Sequence, residues 1–584
     1  MLLFLYPLII GLVIQIAFVT ADITYNVILN SPSTDAGVIV NNVVYALKPS
    51  PLSSILFQGE APSNATYAYA ILKKGTLDVI EREKFTRSGR SKDTLNEFYN
   101  RDWNTKKLIS YDKIKTITKN FNRRSDNELH PIGEIPTIHV TAKQSDLDNI
   151  HIHYLQDINI SANITYISTT FVKSFTDAKF EIGGRSSRQF TKFAYNIKLK
   201  KKSNDNLSGF KKLKLRTTVS DPSYIREYLA SEMYYAANQP ATRGSYVRVF
   251  LNDRAVGLFT LFEKYDDVWL ANEFGAGSKD YKDGALYEGE GGTRSRRADL
   301  SYKGDDLASY EKSAYSIAET AKDLSELISF NKFINDQLEF QKTANNASIS
   351  ATTLEWEKQI DVEGFLVCMA FEFLHGFWDG YLHNTNNYFL YKSPEQNRFI
   401  WIPWDFDYYM GSGPVSMKKI SVGDYNNYDG IQSRPLIKAL LKVPEYRALF
   451  EDHLQTLIDK LYNPTYSNPV IDSIVNFIQD DVAWDKSLRH IRSGREFLPN
   501  FIENIINHNF NNQTNQNQGT PSSLSLTTAA EFLIRLNSKI SHSKAINGKT
   551  RHKSLYAVKE WIRVKLANIS KRTVYHPLLP IPLK

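Results

Sequence analysis

With 584 residues, 42% of them hydrophobic and 12% aromatic, the chain can bury a sizeable core and is expected at ordinary domain sizes to form two or three globular units, so disorder is not the default. A formal charge of +8 suits an acidic partner or surface, but the main basic run, Lys198–Lys202 with Lys211, Lys212, Lys214 and Arg216, straddles a turn-like Ser203–Gly209 and is expected to be a solvated hairpin face, so no nucleic acid is expected as a partner. The single cysteine, Cys368, excludes an internal disulfide framework and sits on an apolar helical pattern, where an inert buried thiol is expected.

Leu2–Val19 is almost wholly apolar and ends in Val19-Thr20-Ala21 before a polar chain. That pattern predicts a signal peptide over residues 1–21, with an uncleaved anchor as the alternative. No later apolar stretch reaches that length, so no transmembrane segment is expected after signal cleavage, and the tail at 576–584 carries no anchor signal. Acceptor triplets at Asn64, Asn159, Asn163, Asn206, Asn346, Asn512 and Asn568 fit a secreted, extracellular or cell-surface protein.

From Asp22 onward, β-branched and aromatic residues alternate with polar ones at Ile23–Leu29, Gly37–Leu47 and Thr66–Leu72, which predicts a small all-β module over 22–118. The charged, Asn-rich connector Lys119–Asn127 precedes a second domain over 128–575, in which 509–525 is a low-complexity insertion expected to be mobile. This domain opens with strand patterns at Lys179–Ile182, Phe193–Leu199 and Leu213–Arg216. A helix follows, with Asp221 as its N-cap and Pro222 in its first position, closing near Asn238. Two more strands, Tyr246–Leu251 and Val256–Phe262, turn at Asn252-Asp253 and lead into Glu263-Lys264-Tyr265-Asp266. A kinase small lobe followed by its hinge has this order of strands, one helix and two strands.

Farther on, Val362, Phe365, Leu366, Met369, Ala370, Phe373 and Leu374 trace one buried helix face that stops at Gly376. Asp379 follows directly, then Asn384, Asn386 and Asn387, a strand at Tyr388–Tyr391, a turn, and a strand at Phe399–Ile402 running into Asp405 and Asp407. One carboxylate after a helix, carboxamides close behind it and an acidic pair at a hairpin end are what phosphoryl transfer from a nucleotide needs: a group to orient the attacking hydroxyl and oxygen ligands for a divalent metal. His383 is expected to be a structural donor, because no second His has zinc-site spacing to it. No His-Glu-x-x-His or Gly-x-Ser-x-Gly motif occurs, which argues against metalloprotease and serine hydrolase chemistry.

Trp378-Asp379, then Asn386-Asn387-Tyr388-Phe389-Leu390-Tyr391 and Ile402-Pro403-Trp404-Asp405-Phe406-Asp407, resemble the signature of the CotH kinase family, named for spore coat protein H, and the likeness extends over about 135–571. Lys211–Asn238 and Tyr246–Glu263 resemble that family's small lobe. The resemblance implies an α+β chain, a two-lobed atypical protein-kinase-like fold preceded by a small all-β domain. It implies a protein kinase that uses ATP with Mg2+ or Mn2+ to phosphorylate Ser or Thr of protein substrates. Asp379 matches the catalytic Asp and Asp405 the metal-binding Asp; the metal-binding Asn is Asn384 by spacing or Asn387 by its place before the strand, with Asn387 favoured. Fungal members of the family resemble host-cell invasins, so the alternative is an adhesin that binds a cell-surface receptor.

Helical geometry adds expectations of its own. Glu232 shares a face with Ile225, Leu229 and Ala236 while Glu227 points elsewhere, so Glu232 is expected to pair with a strand lysine, Lys192 or Lys198, that also serves the nucleotide phosphates. Gly183-Gly184-Arg185-Ser186-Ser187 forms a short turn in which Arg185 and Arg188 are candidate phosphate clamps or surface residues.

Overall fold

The computed structural model describes residues 21–117, 121–125, 129–200, 206–291, 296–492, 526–536 and 539–575. The apolar leader at 1–20, the insertion at 509–525 with Asn512, and the tail at 576–584 lie outside them. The chain is α+β and divides into two compact units, one reaching to Asn104 and including Ile167–Val172, the other holding Thr105–Tyr166 and everything from Lys173 on.

The first unit is a seven-stranded sheet of β1 (Asp22–Ile28), β2 (Thr34–Val40), β3 (Val43–Ser50), β4 (Ser53–Pro62), β5 (Tyr67–Lys73), β6 (Val79–Arg82) and β7 (Glu97–Phe98), in the order β6-β5-β2-β3-β4-β1-β7. The run Gly37–Leu47, read from sequence as one alternating stretch, is two strands. Asn41 and Asn42 both take positive φ, 50° and 63°, and so supply the left-handed two-residue turn that matches the twist of paired strands. The side chains of Tyr25, Val27, Val38, Tyr67 and Tyr69 fill the core of this unit. Glu83 and Glu97 are buried there with Arg87, which bonds Glu83 at 2.7 Å.

In the second unit β8 (Thr137–Thr141), β9 (Asn159–Ile167), β10 (Val172–Ile182), β11 (Tyr195–Lys198), β12 (Lys212–Arg216), β13 (Gly244–Leu251) and β14 (Arg254–Glu263) close into a barrel ordered β10-β11-β12-β14-β13-β8-β9. The helix after β12 spans Arg226–Ala236, not from Pro222 as the capping pattern suggested. Tyr224 takes φ 62°, which breaks the helical run, and Asp221 folds forward to accept the Ser223 and Arg226 N–H groups and to pair with the buried Arg226 guanidinium. Local tertiary pairing thus outcompetes the Asp-Pro start signal.

The rest of the unit is mainly helical around a four-stranded sheet, β16-β15-β17-β18, of β15 (Leu286–Gly289), β16 (Tyr315–Glu319), β17 (Tyr388–Ser393) and β18 (Arg398–Pro403). The helix Val362–His375 begins where Asp361 accepts from Gly364 N and ends at Gly376, whose φ of 62° only glycine adopts without strain. Its sequence pattern showed one apolar face, yet all of it except Glu363 is buried, Cys368 included. Among the described residues no helix is long and apolar enough to cross a membrane.

Helix Pro464–Ser487 is fastened to the barrel by two buried ion pairs one helical turn apart. Arg248 of β13 meets Asp481 at 2.5 Å, and Lys192 meets Asp485 at 2.6 Å; Asp485 also accepts from Leu258 N and Tyr224 Oη. Removing one member of such a pair strands the other charge in a dry interior. Asp485→Ala should therefore cost this unit about 3–5 kcal/mol, read as a lowered denaturation midpoint of the full chain, whereas Lys200→Ala at an exposed pair should leave the midpoint essentially unchanged.

Candidate functional site

β12 carries Lys212, Lys214 and Arg216 on one face by strand alternation. The expectation of a solvated basic hairpin fails at this strand, because Lys214 and Arg216 are only 8% and 7% exposed. They are buried because carboxylates meet them. Arg216 Nε bonds Glu227 at 2.9 Å, its Nη1 bonds one oxygen of Asp405 at 2.9 Å, and its Nη2 contacts the other Asp405 oxygen and reaches Asp407 at 3.2 Å. Lys214 Nζ lies 3.7 Å from Asp405 and 4.8 Å from the Trp404 ring centroid. Thr242, Phe262, Trp404 and Phe406 close a small cavity around these charges.

This arrangement corrects the pairing expected for Glu232. Glu232 faces Arg243 at 3.4 Å, Lys192 is committed to Asp485 and Lys198 is exposed on β11. The helical acid that reaches the strand cations is Glu227, five residues earlier and on a different side of the helix. The apolar stripe misled because Glu232 lies along the side covered by Arg243, whereas Glu227, in the first turn, is aimed at the open end of β12. The period-two spacing of Lys212, Lys214 and Arg216 was the available sequence signal for a cationic strand face. Arg185 is 2.5 Å from Glu290 as an exposed ion pair, and Arg188 bonds Asp157 at 2.6 Å, so both have carboxylate partners.

The β17–β18 hairpin brings the remaining groups together. Tyr388 pairs with Pro403, and Trp404 N donates to Asn387 O at 3.0 Å, so Asn387 and Asp405 emerge at the same open end. Both have positive φ, 58° and 57°, a conformation that costs energy for residues other than glycine and is held here by the surrounding bonds. Asp379 stands opposite, after Gly376 ends its helix. Asn384 Nδ2 donates to Asp379 Oδ1 at 2.6 Å, Asn386 Nδ2 reaches the same oxygen at 3.4 Å, and Asn387 Nδ2 donates to Oδ2 at 3.1 Å and to the Asp379 carbonyl at 3.0 Å. Both expected asparagines therefore grip Asp379 through their N–H groups.

Burial pushes the Asp379 carboxyl up to about 6, with the charge of Asp405 adding to the shift and the amide donors opposing it. For Asp405 burial also opposes ionisation, but Arg216 and Lys214 outweigh it and hold the group below the usual carboxylate range. Asp407, buried beside the ionised Asp405, is raised well above that range. Lys214 is pushed down to about 8 by burial and by Arg216. Asp379, Asp405, Asp407 and Glu227 thus gather around two cations, and the acids that burial and crowding push toward the neutral form would ionise beside an added divalent cation.

The family model described as CotH kinase protein matches residues 180–516, which include every residue of this site. Invasin CotH3 of Rhizopus delemar is 27% identical over 492 residues, covering 82% of this chain and 77% of the invasin. Invasin CotH2 of the same organism is 26% identical over 486 residues, with the same two shares. Inner spore coat protein H of Bacillus subtilis is 24% identical over 311 residues, covering 52% of this chain and 76% of the coat protein.

The charge balance is open to a direct check. Arg216→Met leaves Asp405, Asp407 and Glu227 without their shared partner: Asp405 loses the main cation that holds its carboxyl low, and the upward shifts that burial already imposes on Asp407 and Glu227 grow. The resulting penalty, about 3–5 kcal/mol, should be largest at neutral pH and shrink as the pH falls toward the unfolded carboxylate value of about 4, because protonation then relieves the folded state more than the unfolded one. Denaturation midpoints of wild type and variant across that range should converge on acidification.

Proposed function

This chain belongs to the CotH kinase protein family, and on that premise we propose that it is a metal-dependent atypical protein kinase with a two-lobed catalytic unit. It transfers the γ-phosphoryl group of ATP to Ser or Thr hydroxyls of a protein substrate. The observation that carries this reading is the meeting of an amide-gripped Asp379 with the Arg216-bound Asp405 across the end of one hairpin.

In this reading the barrel and the Arg226–Ala236 helix act as the small lobe, and the Arg216–Glu227 pair joins its strand to its helix, as an ion pair does in protein kinases. Lys214, with a partial claim on Asp405, is placed to meet phosphate oxygens. Asp379 orients the attacking hydroxyl and accepts its proton; a pKa of about 6 keeps the group ionised at neutral pH while leaving it more basic than an ordinary carboxylate. Asn384, Asn386 and Asn387 fix both its oxygens and so its rotamer.

Mg2+ or Mn2+, when bound, would neutralise charge on the phosphate oxygens. Asp405 and the amide oxygen of Asn387 or Asn384 would hold it, with Asp407 beside them. Among the described residues no three carboxylate, His or Cys side chains form a ready metal cage. That fits a cation bound through one or two protein oxygens together with substrate phosphates.

A second reading follows from the names of the invasin relatives: a surface protein that binds a receptor through the same fold, with phosphotransfer secondary. Surface or coat placement is common to both readings. Adhesion does not require the carboxylates; catalysis does.

Asp405→Ala should lose both the Mg2+- or Mn2+-dependent thermal shift with ATP and phosphotransfer. Asp379→Asn should keep the nucleotide shift while turnover falls by about 10²-fold or more, and wild-type turnover should decline as the pH drops below about 6. A wild type that shows neither ATP-dependent shift nor phosphotransfer to dephosphorylated casein, with both variants still binding host-cell surfaces as it does, would leave the adhesin reading in place.

A further inference from the structure

The loop that carries Asp379 is gripped a second time, by groups that never face the hairpin end. Glu372 lies one helical turn before Gly376 and is 5% exposed. Its Oε1 accepts from Tyr381 N at 3.1 Å and its Oε2 from Leu382 N at 2.9 Å, the second and third residues after Asp379. From the other side Arg434 donates to carbonyls of the same segment: Nε to Leu382 O at 2.8 Å and Tyr381 O at 3.2 Å, Nη2 to His383 O at 2.7 Å. Gly380 fits closely against this contact, since a Cβ there would lie 2.8 Å from the Glu372 carboxyl carbon.

The short helical turn Tyr381–Asn384 is too brief to hold itself. Its first N–H groups point at the Glu372 carboxyl oxygens and three of its carbonyls point at the Arg434 guanidinium, so the backbone groups that so short a turn leaves unpaired are satisfied at both ends. Asn384, the last residue of the turn, is the one whose Nδ2 lies 2.6 Å from Asp379 Oδ1. Displacing the turn displaces that donor, and Asp379 loses its orientation even though nothing touching it has been changed.

We propose that Glu372 and Arg434 are positioning residues that bracket the Tyr381–Asn384 turn and thereby set the Asp379 carboxylate for proton acceptance. The role rests on the kinase reading above for its catalytic consequence, but the bracket itself does not.

The test uses the full chain with Glu372→Gln, which keeps the shape but turns an amide NH2 toward one of the two backbone N–H groups, and Arg434→Lys, which cannot span three carbonyls. Hydrogen exchange resolved to the 380–387 segment should speed up at least about tenfold in either variant, with the barrel strands unchanged. An unchanged exchange rate in that segment overturns the bracket whether or not the protein is a kinase.

For phosphotransfer to dephosphorylated casein, kcat should fall about 10- to 100-fold with the KM for ATP and the ATP thermal shift retained. Combining Glu372→Gln with Asp379→Asn should add nothing to the loss from Asp379→Asn alone, because both act through one carboxylate. Additive losses, or a Glu372→Gln variant as active as a wild type that Asp379→Asn disables, refute the positioning role. If wild type and Asp379→Asn are equally inactive, the kinase reading has failed, and the exchange data still decide the bracket.

Discussion

The Arg216 guanidinium is the charge on which the site's arrangement rests. It is almost fully buried, and a buried cation without partners would be prohibitively unfavourable, so the chain must bring carboxylates to it. It draws them from two places: Glu227 from the helix that follows its own strand, and Asp405 and Asp407 from the end of β18. Because a guanidinium is planar and presents its donors in a fixed fork, it also fixes the angle at which these elements meet. The positive φ of Asp405 is tolerated because this contact and the Trp404–Asn387 backbone bond hold the residue from both sides.

A second consequence is the separation of the carboxylates by environment. Asp405 is kept ionised by its cations, Asp407 is driven toward the neutral form by burial and by the charge of Asp405, and Asp379 lies between, gripped by amides that carry no net charge. Neighbouring acids with pKa values pushed apart can take different tasks at one pH, which is the condition for a site where one group binds a cation and another moves a proton. The two buried pairs of helix Pro464–Ser487 apply the same physics away from the site, where Lys192 is spent on anchoring a helix to the barrel.

Glu372 and Arg434 extend this logic to backbone. The turn after Asp379 has no apolar stripe long enough to anchor it, and its geometry is supplied by two polar side chains, one accepting from its N–H groups and one donating to its carbonyls. Burial pushes the Glu372 carboxyl up to about 8 while the Leu382 and Tyr381 N–H groups and the charge of Arg434 pull the other way. Such a group is held by the fold, and it holds the loop in return.

The sequence alone determined what depends on local spacing. Period-two alternation marked most of the strands in both units, the 3.6-residue pattern marked the Val362–His375 helix, and Gly376 marked its end. The order of Asp379, Asn384, Asn387 and Asp405 around a strand pair placed them in one site, because a hairpin necessarily returns its two ends to one point. Charge pairing was not legible in the same way. Glu232 rather than Glu227, and Lys192 or Lys198 rather than Lys214 and Arg216, were the expected partners because helical and strand periodicity tell which side of its own element a residue occupies, not what lies across from it. Only the closing of the barrel, which sets β12 beside β14 and turns its cationic face toward the end of β18, decided that Arg216 would be the common partner. The Arg434 side of the bracket around Tyr381–Asn384 joins residues more than fifty positions apart, and no local pattern encodes a contact whose partners are brought together by packing alone.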